Sequence, residues 1–241
     1  MANPLKQFEV HTLVPLKLGE IDISFTNSAL FMTLAVAGAA TFLILSMRSR
    51  ALVPGRWQLM AEMSYEFIAG MVRDNVGSEG RRYFPMIFSL FMFILFGNLL
   101  GLIPYGFTFT SHIIVTFAMA LTVLIAVTLV ALFRHGWKFF TYFFPAGVPI
   151  LMAPILIPIE VISYLSRALS LSIRLFANMM AGHTMMKVFA GFIVSLGIIG
   201  GWAPLAVDVA LTGFEFLIAA LQAYVFTVLT CLYLHDAIHL H

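Results

Sequence analysis

The chain has 241 residues, of which 61% are hydrophobic and only 10% charged. That is more apolar side chain than a soluble interior can hold, so a soluble domain is excluded and a polytopic membrane protein expected. A net charge of +2 is too small for a nucleic-acid binder, and the single Cys231 rules out an internal disulfide or a cysteine metal cluster.

Residues 1–20 mix charges, prolines and apolar residues without the apolar core of a signal peptide, and residues 1–27 are expected to form an outer N-terminal segment. The first apolar run, Ser28–Met47, ends at Arg48 and Arg50. It is long enough to cross a hydrocarbon core of about 30 Å. In residues 56–77, Trp57, Met60, Met63, Phe67, Ile68 and Met71 recur at helical spacing, with Glu62, Glu66 and Arg73 on the other side. This predicts an amphipathic helix, lying on the membrane surface or packed on other protein; the two are compatible. From Tyr83 to Phe133 there is no Asp, Glu, Lys or Arg. Pro104 and the stretch 105–112 break the run, which predicts two spans, about 84–103 and 113–133, in a tight hairpin. Residues 134–148 carry Trp, Tyr, Arg and Lys together and look interfacial.

Two long helical segments follow, 150–190 and 203–235, separated by GIIGGWAP at 197–204. At 1.5 Å per residue they run to about 60 Å and about 50 Å. They are therefore broken or steeply tilted. Tilt is expected, because Pro154, Pro158 and Pro204 sit only near the starts. The fold class is thus all-α, with about six helices including the interfacial one and a C-terminal hairpin spanning 149–236. Eight of the thirteen basic residues (Arg48, Arg50, Arg56, Arg73, Arg81, Arg82, Arg134 and Lys138) fall in two loops on one side, and none falls in 105–112. The expected orientation is N-terminus outside and C-terminus in the cytoplasm, with the 197–204 turn outside.

Ionisable groups within a span cost about 2.5–3.5 kcal/mol each and require partners, water or a function. Glu160, Arg167 and Arg174 are seven residues apart, with Asn178 near the same face; Asp208, Glu215 and Gln222 are also seven apart. Each long helix therefore carries one polar stripe. His183 is half a turn off the first stripe, which needs a local bulge or a site on the other flank. Folding the helices about the turn matches three pairs in depth: Arg174 with Gln222, His183 with Glu215, and Lys187 with Asp208. Lys187 and Asp208 read as a structural pair near the outer surface. Arg167 is neutralised by Glu160 or snorkels inward. His183 and Glu215 are either a helix clamp or a proton path, titrating as a coupled pair. Arg174 meets only the neutral Gln222, so a carboxylate from another chain is the expected missing partner. The terminal HDAIHLH, with His235, His239 and His241, reads as a solvated inner tail rather than a metal site, and no cofactor or metal is expected.

The segments SLSIRLFANMMAGH (170–183), GNLLGLIPY (97–105) and LQAYVFTVLTCLYL (221–234) closely resemble subunit a of the rotary, F-type ATP synthase membrane sector. The resemblance covers nearly the whole chain. It places the family's essential arginine on Arg174 and its polar hairpin positions on Glu160, Asn178, His183, Glu215 and Gln222, with Asn98, Arg167, Lys187 and Asp208 as secondary polar positions. Many bacterial members carry the acid and the histidine in the opposite order at 183 and 215; the arrangement here resembles the mitochondrial type. The resemblance implies two offset half-channels that feed protons to carboxylates on a ring of c subunits. It also implies b-type peripheral stalk subunits and the rest of the synthase as partners, membrane lipid around the chain, and no nucleic acid. The implied location is a bacterial inner membrane, or alternatively a mitochondrial one, with protons favoured over sodium. The rival classes are an ion-coupled secondary transporter and a purely structural assembly subunit.

Overall fold

The computed structural model describes residues 8–15, 17–18, 21–22, 24–48, 51–103, 106–137, 139 and 152–239. The expected positions Arg50, Pro104, Tyr105, Lys138 and His241, and most of the interfacial stretch 134–148, lie outside them. Two short antiparallel β pairs come first: Thr12–Val14 with Phe25–Thr26, and Lys17–Leu18 with Ile21–Asp22. Six α-helices follow among the described residues: α1 Asn27–Ser46, α2 Arg56–Val76, α3 Phe84–Gly101, α4 Ile113–His135, α5 Ala153–Gly200 and α6 Trp202–Ile238. Single 3₁₀ segments at Ser78–Tyr83 and Phe109–Ser111 connect them. All but α2 are long and apolar enough to cross a membrane.

Local chemistry sets the boundaries. The Thr26 hydroxyl accepts from the Ala29 amide and caps α1. Gly77, at φ 86°, ends α2 in a backbone region that side chains disfavour. Consecutive in sequence, α3 and α4 do not form the expected tight hairpin; they share only α6 as a principal neighbour. α3 lies against α6 and α1, and α4 against α5 and α6. An open apolar groove of about 500 Å³ is lined by α1, α3 and α4.

α2 divides its surface three ways. Ala61, Ile68, Val72 and Val76 are buried against the bundle, whereas Trp57, Met60, Met63 and Phe67 are exposed beside them, and Glu66 and Arg73 occupy the third side. One apolar strip thus packs on protein, as one of the two sequence readings has it, and a second is exposed beside it.

α5 and α6 pack along each other and form the principal pair. At 45 residues up to Gly197 and 37 residues they reach about 68 Å and about 55 Å, too long to stand upright in a core of about 30 Å. α5 outruns its expected end near residue 190, because nothing between Lys187 and Gly197 stops a helix. Its break is at Gly197, where φ is 64°, and α6 begins at Trp202, inside the expected turn. α6 is unbroken to Ile238.

The core sits where the N-terminal half of α5 meets the C-terminal half of α6. Ile87, Phe91 and Ile94 of α3, Leu171, Leu175 and Met179 of α5, and Phe226 and Leu234 of α6 are its centre. Apolar packing alone does not distinguish protein from lipid tails, so interhelical hydrogen bonds and small side chains carry specificity. The Asn98 amide donates to the Ala219 carbonyl at 3.1 Å, reaching α6 where its buried side chains are small. Hydroxyl pairs tie α4 to α5: Thr116 with Ser172 at 3.1 Å and Thr128 with Tyr164 at 2.6 Å.

The C-terminal segment is not a solvated tail. Helix α6 runs through it to Ile238, Ala237 and Ile238 are buried, and Asp236 is ion-paired. The reason is that Ala237 and Ile238 continue the inward stripe of Thr227, Thr230, Cys231 and Leu234 at three- and four-residue steps.

Candidate functional site

α5 remains helical through residue 183, so nine residues from Arg174 bring His183 to the opposite flank without a bulge. Arg174 is exposed and His183 buried. The flank carrying His183 also carries Leu171, Leu175 and Met179, and it faces α6 and the segment before α4.

There His183 meets Glu215. Nε2 lies 3.6 Å from Oε1, and both side chains are almost fully enclosed. Neither Glu215 oxygen accepts a hydrogen bond from the described residues. The approach depends on Gly182, where a Cβ would stand 2.6 Å from Oε1 of Glu215. The bare backbone at Gly182 leaves the space that the carboxylate fills.

The sequence reading missed a third wall. Residues 106–112 were expected as an outer connection, but Phe107, Thr108, Phe109, Thr110 and Ser111 are all buried. Phe109 presses its ring onto Gly97 of α3, and Thr108 packs against Gly101. Thr110 donates to Asn98 Oδ1 at 2.9 Å. Thr108 Oγ1 lies 2.9 Å from His183 Nε2. The one available signal was the pairing of Gly97 and Gly101 with the Phe-Thr-Phe-Thr run, since two bare backbone patches a turn apart invite an inserted segment.

Of the three depth-matched pairs, only His183 and Glu215 are brought together. Gln222 is buried and Arg174 exposed, and no hydrogen bond joins them. Lys187 and Asp208 make no ion pair, which corrects the reading of them as partners: Lys187 is exposed, and Asp208 Oδ1 is buried without a hydrogen-bond partner among the described residues.

Arg167 also differs from expectation. Its partner is Asp236 of α6, Nη1 to Oδ2 at 2.9 Å, not Glu160. The guanidinium also lies over Tyr233 and Tyr164, at 5.4 and 5.9 Å from the ring centroids. These contacts tie the N-terminal part of α5 to the C-terminal end of α6. Glu160 and Asn178 are half-buried on α5. Arg174 has no carboxylate within 4.0 Å among the described residues.

The arrangement is therefore an enclosed acid–imidazole pair on one flank of a long apolar helix and an exposed guanidinium on the other flank, in a membrane bundle. Residues 29–235 match the family ATP synthase A chain. The chain is 63% identical over 247 residues to ATP synthase subunit a of Paramagnetospirillum magneticum, covering 100% of both chains. It is 57% identical over 241 residues to that of Rhodospirillum rubrum, again covering 100% of both. With ATP synthase subunit a of Pelagibacter ubique it shares 54% identity over 240 residues, 99% of this chain and 98% of the other. The chain belongs to the ATP synthase A chain family.

The contact between His183 and Glu215 generates a test of their joint action. Proton transport by assembled complexes is expected to fall about a hundredfold in His183→Ala and in Glu215→Ala. The double variant should be little worse than the worse single one, as for residues that act as a unit. Full multiplicative loss in the double variant would show independent roles.

Proposed function

We propose that this chain is the proton-conducting stator of an ATP synthase membrane sector. In this reading it forms two offset half-channels, and Arg174 is the charge gate between them. The observation that carries the proposal is the exposed guanidinium with no carboxylate within 4.0 Å among the described residues. A fixed cation on an apolar helix face is costly unless an anion comes to it. A carboxylate on a passing ring subunit supplies that anion. Arg174 attracts it and favours its ionised form, so the proton is released.

On the outer side, His183 and Glu215 pass protons toward the ring, with Asn178 and Gln222 along the way. On the inner side the exit runs past Glu160. The cation at 174 also repels protons that would cross directly from one half-channel to the other. Such a leak would dissipate about 2.3 kcal/mol per proton at 100 mV. Lysine is a poor replacement, being deprotonatable in a low-dielectric site and lacking the planar fork. Asn98, Arg167, Lys187 and Asp208 are secondary polar positions, and Arg167 aligns the helices through Asp236. The c-ring packs on the Arg174 face, and b-type stalk subunits hold the chain against rotation. The bacterial relatives support a bacterial inner membrane. A secondary transporter is disfavoured by relatives at 57% and 63% identity that bear the name ATP synthase subunit a.

For the gate, the experiment is proton flux and ATP synthesis in vesicles carrying assembled complexes, with c-ring content checked. Arg174→Ala should abolish coupled synthesis and ATP-driven pumping, while passive proton flow through the sector stripped of its catalytic head survives or rises. Arg174→Lys should also lose coupling. Coupled synthesis persisting in Arg174→Ala would refute the gate.

For the orientation, N-terminus outside and C-terminus cytoplasmic, single cysteines at the exposed Ser78 and Ile113 are placed in a Cys231→Ala background. They should label from opposite sides of the membrane, Ser78 from the cytoplasm. Labelling of both from one side would contradict the assignment.

A further inference from the structure

We infer that the Thr108 hydroxyl is a positioning residue for proton transfer at His183, holding Nε2 toward Glu215 whether or not that nitrogen carries a proton. The inference rests on the proposed role of His183 and Glu215 and adds a residue from outside the helix hairpin.

The geometry begins with one hydroxyl and two partners. Thr108 Oγ1 lies 2.9 Å from His183 Nε2 and 3.4 Å from the Gly101 carbonyl oxygen. A hydroxyl has one proton and two lone pairs. With its proton on the Gly101 carbonyl, Oγ1 accepts from Nε2–H. When Nε2 has given up its proton, the hydroxyl turns about its C–O bond and donates to the bare nitrogen. Rotation of one hydrogen serves both states, and no heavy atom moves. An imidazole without such a partner would lose a hydrogen bond in one of the two states, in a site too enclosed for that loss to be small.

The backbone around Thr108 is held in place to do this. The Ser111 hydroxyl donates to the Thr108 carbonyl at 2.6 Å. Thr108 and His183 are both more than nine-tenths buried. Gly101 is bare on the side where Thr108 packs, and a Cβ there would strike Oγ1. Nε2 is also the atom that faces Glu215 Oε1, at 3.6 Å. The hydroxyl therefore orients the nitrogen that exchanges with the acid. Valine at 108 keeps the shape of threonine and loses the hydroxyl, whereas serine keeps the hydroxyl and loses the methyl group.

This opposition makes the test. ATP-driven proton pumping is measured in vesicles containing the whole synthase, normalised to the amount of assembled complex. Thr108→Val should pump about five- to tenfold more slowly, the loss of one hydrogen bond at the transfer step. Thr108→Ser should pump near the wild-type rate. A packing role predicts the reverse, with valine near wild type and serine impaired, and that result would overturn the inference. If Thr108→Val fails to assemble, Thr108→Ala against Thr108→Ser decides: serine must be the faster by the same factor, and equal rates refute the role. Failure of both hydroxyl-free variants to assemble would show a structural requirement and also overturn it. Arg174→Ala in the same preparation keeps the two questions apart. If it loses coupling while Thr108→Val pumps normally, only the Thr108 role falls.

Discussion

Hydrocarbon does not solvate charge, and this constraint bears on the ionisable side chains of the two long helices. A charged group inside the bilayer must be paired, enclosed with polar neighbours, or aimed at something that supplies the missing charge. Arg167 is paired, through Asp236 and the rings of Tyr164 and Tyr233. His183 and Glu215 are enclosed together. Asn98, though neutral, is fully buried and satisfied by Thr110 and the Ala219 carbonyl. Arg174 alone among these is exposed and without a carboxylate on its own described chain.

The helix pair exists to hold these groups in register. The N-terminal half of α5 and the C-terminal half of α6 are fastened by Arg167 and Asp236, and by the buried seam from Leu171 and Leu175 to Phe226 and Leu234. Farther along, Gly182 admits the Glu215 carboxylate. Between those two fastenings, α5 presents opposite flanks. One looks into the protein at Glu215, and the other carries Arg174 outward. A single rigid helix thereby separates the two functional groups by half a turn, which places the proposed donor path and the proposed gate on different sides of one rod.

Much of this was legible in the sequence, for physical reasons. Spans are readable because membranes forbid charge over long runs, as between Tyr83 and Phe133. The meeting of His183 with Glu215 followed from antiparallel depth matching. The same arithmetic did not bring Lys187 and Asp208 into an ion pair, because equal depth leaves the lateral distance between two side chains open. The burial of 107–111 was not legible. Phe, Thr and Ser suit an outer loop as well as a core, and the contact between Thr108 and His183 joins residues 75 apart in the chain. The partner of Arg167 was missed because HDAIHLH reads as polar, although two apolar residues in it continue the buried stripe and carry Asp236 into reach.

The central claim is that the face of α5 bearing Arg174 meets a carboxylate-bearing ring. Ala177 lies on that helix three residues beyond Arg174 and is exposed, so it reports on the same face without removing the charge. A photoactivatable cross-linker placed at Ala177 in the intact synthase, followed by identification of the adduct, reads the neighbour directly. The account expects adducts with the c subunit, at a site near its membrane carboxylate. Adducts with lipid alone, or with another segment of this same chain, would contradict it.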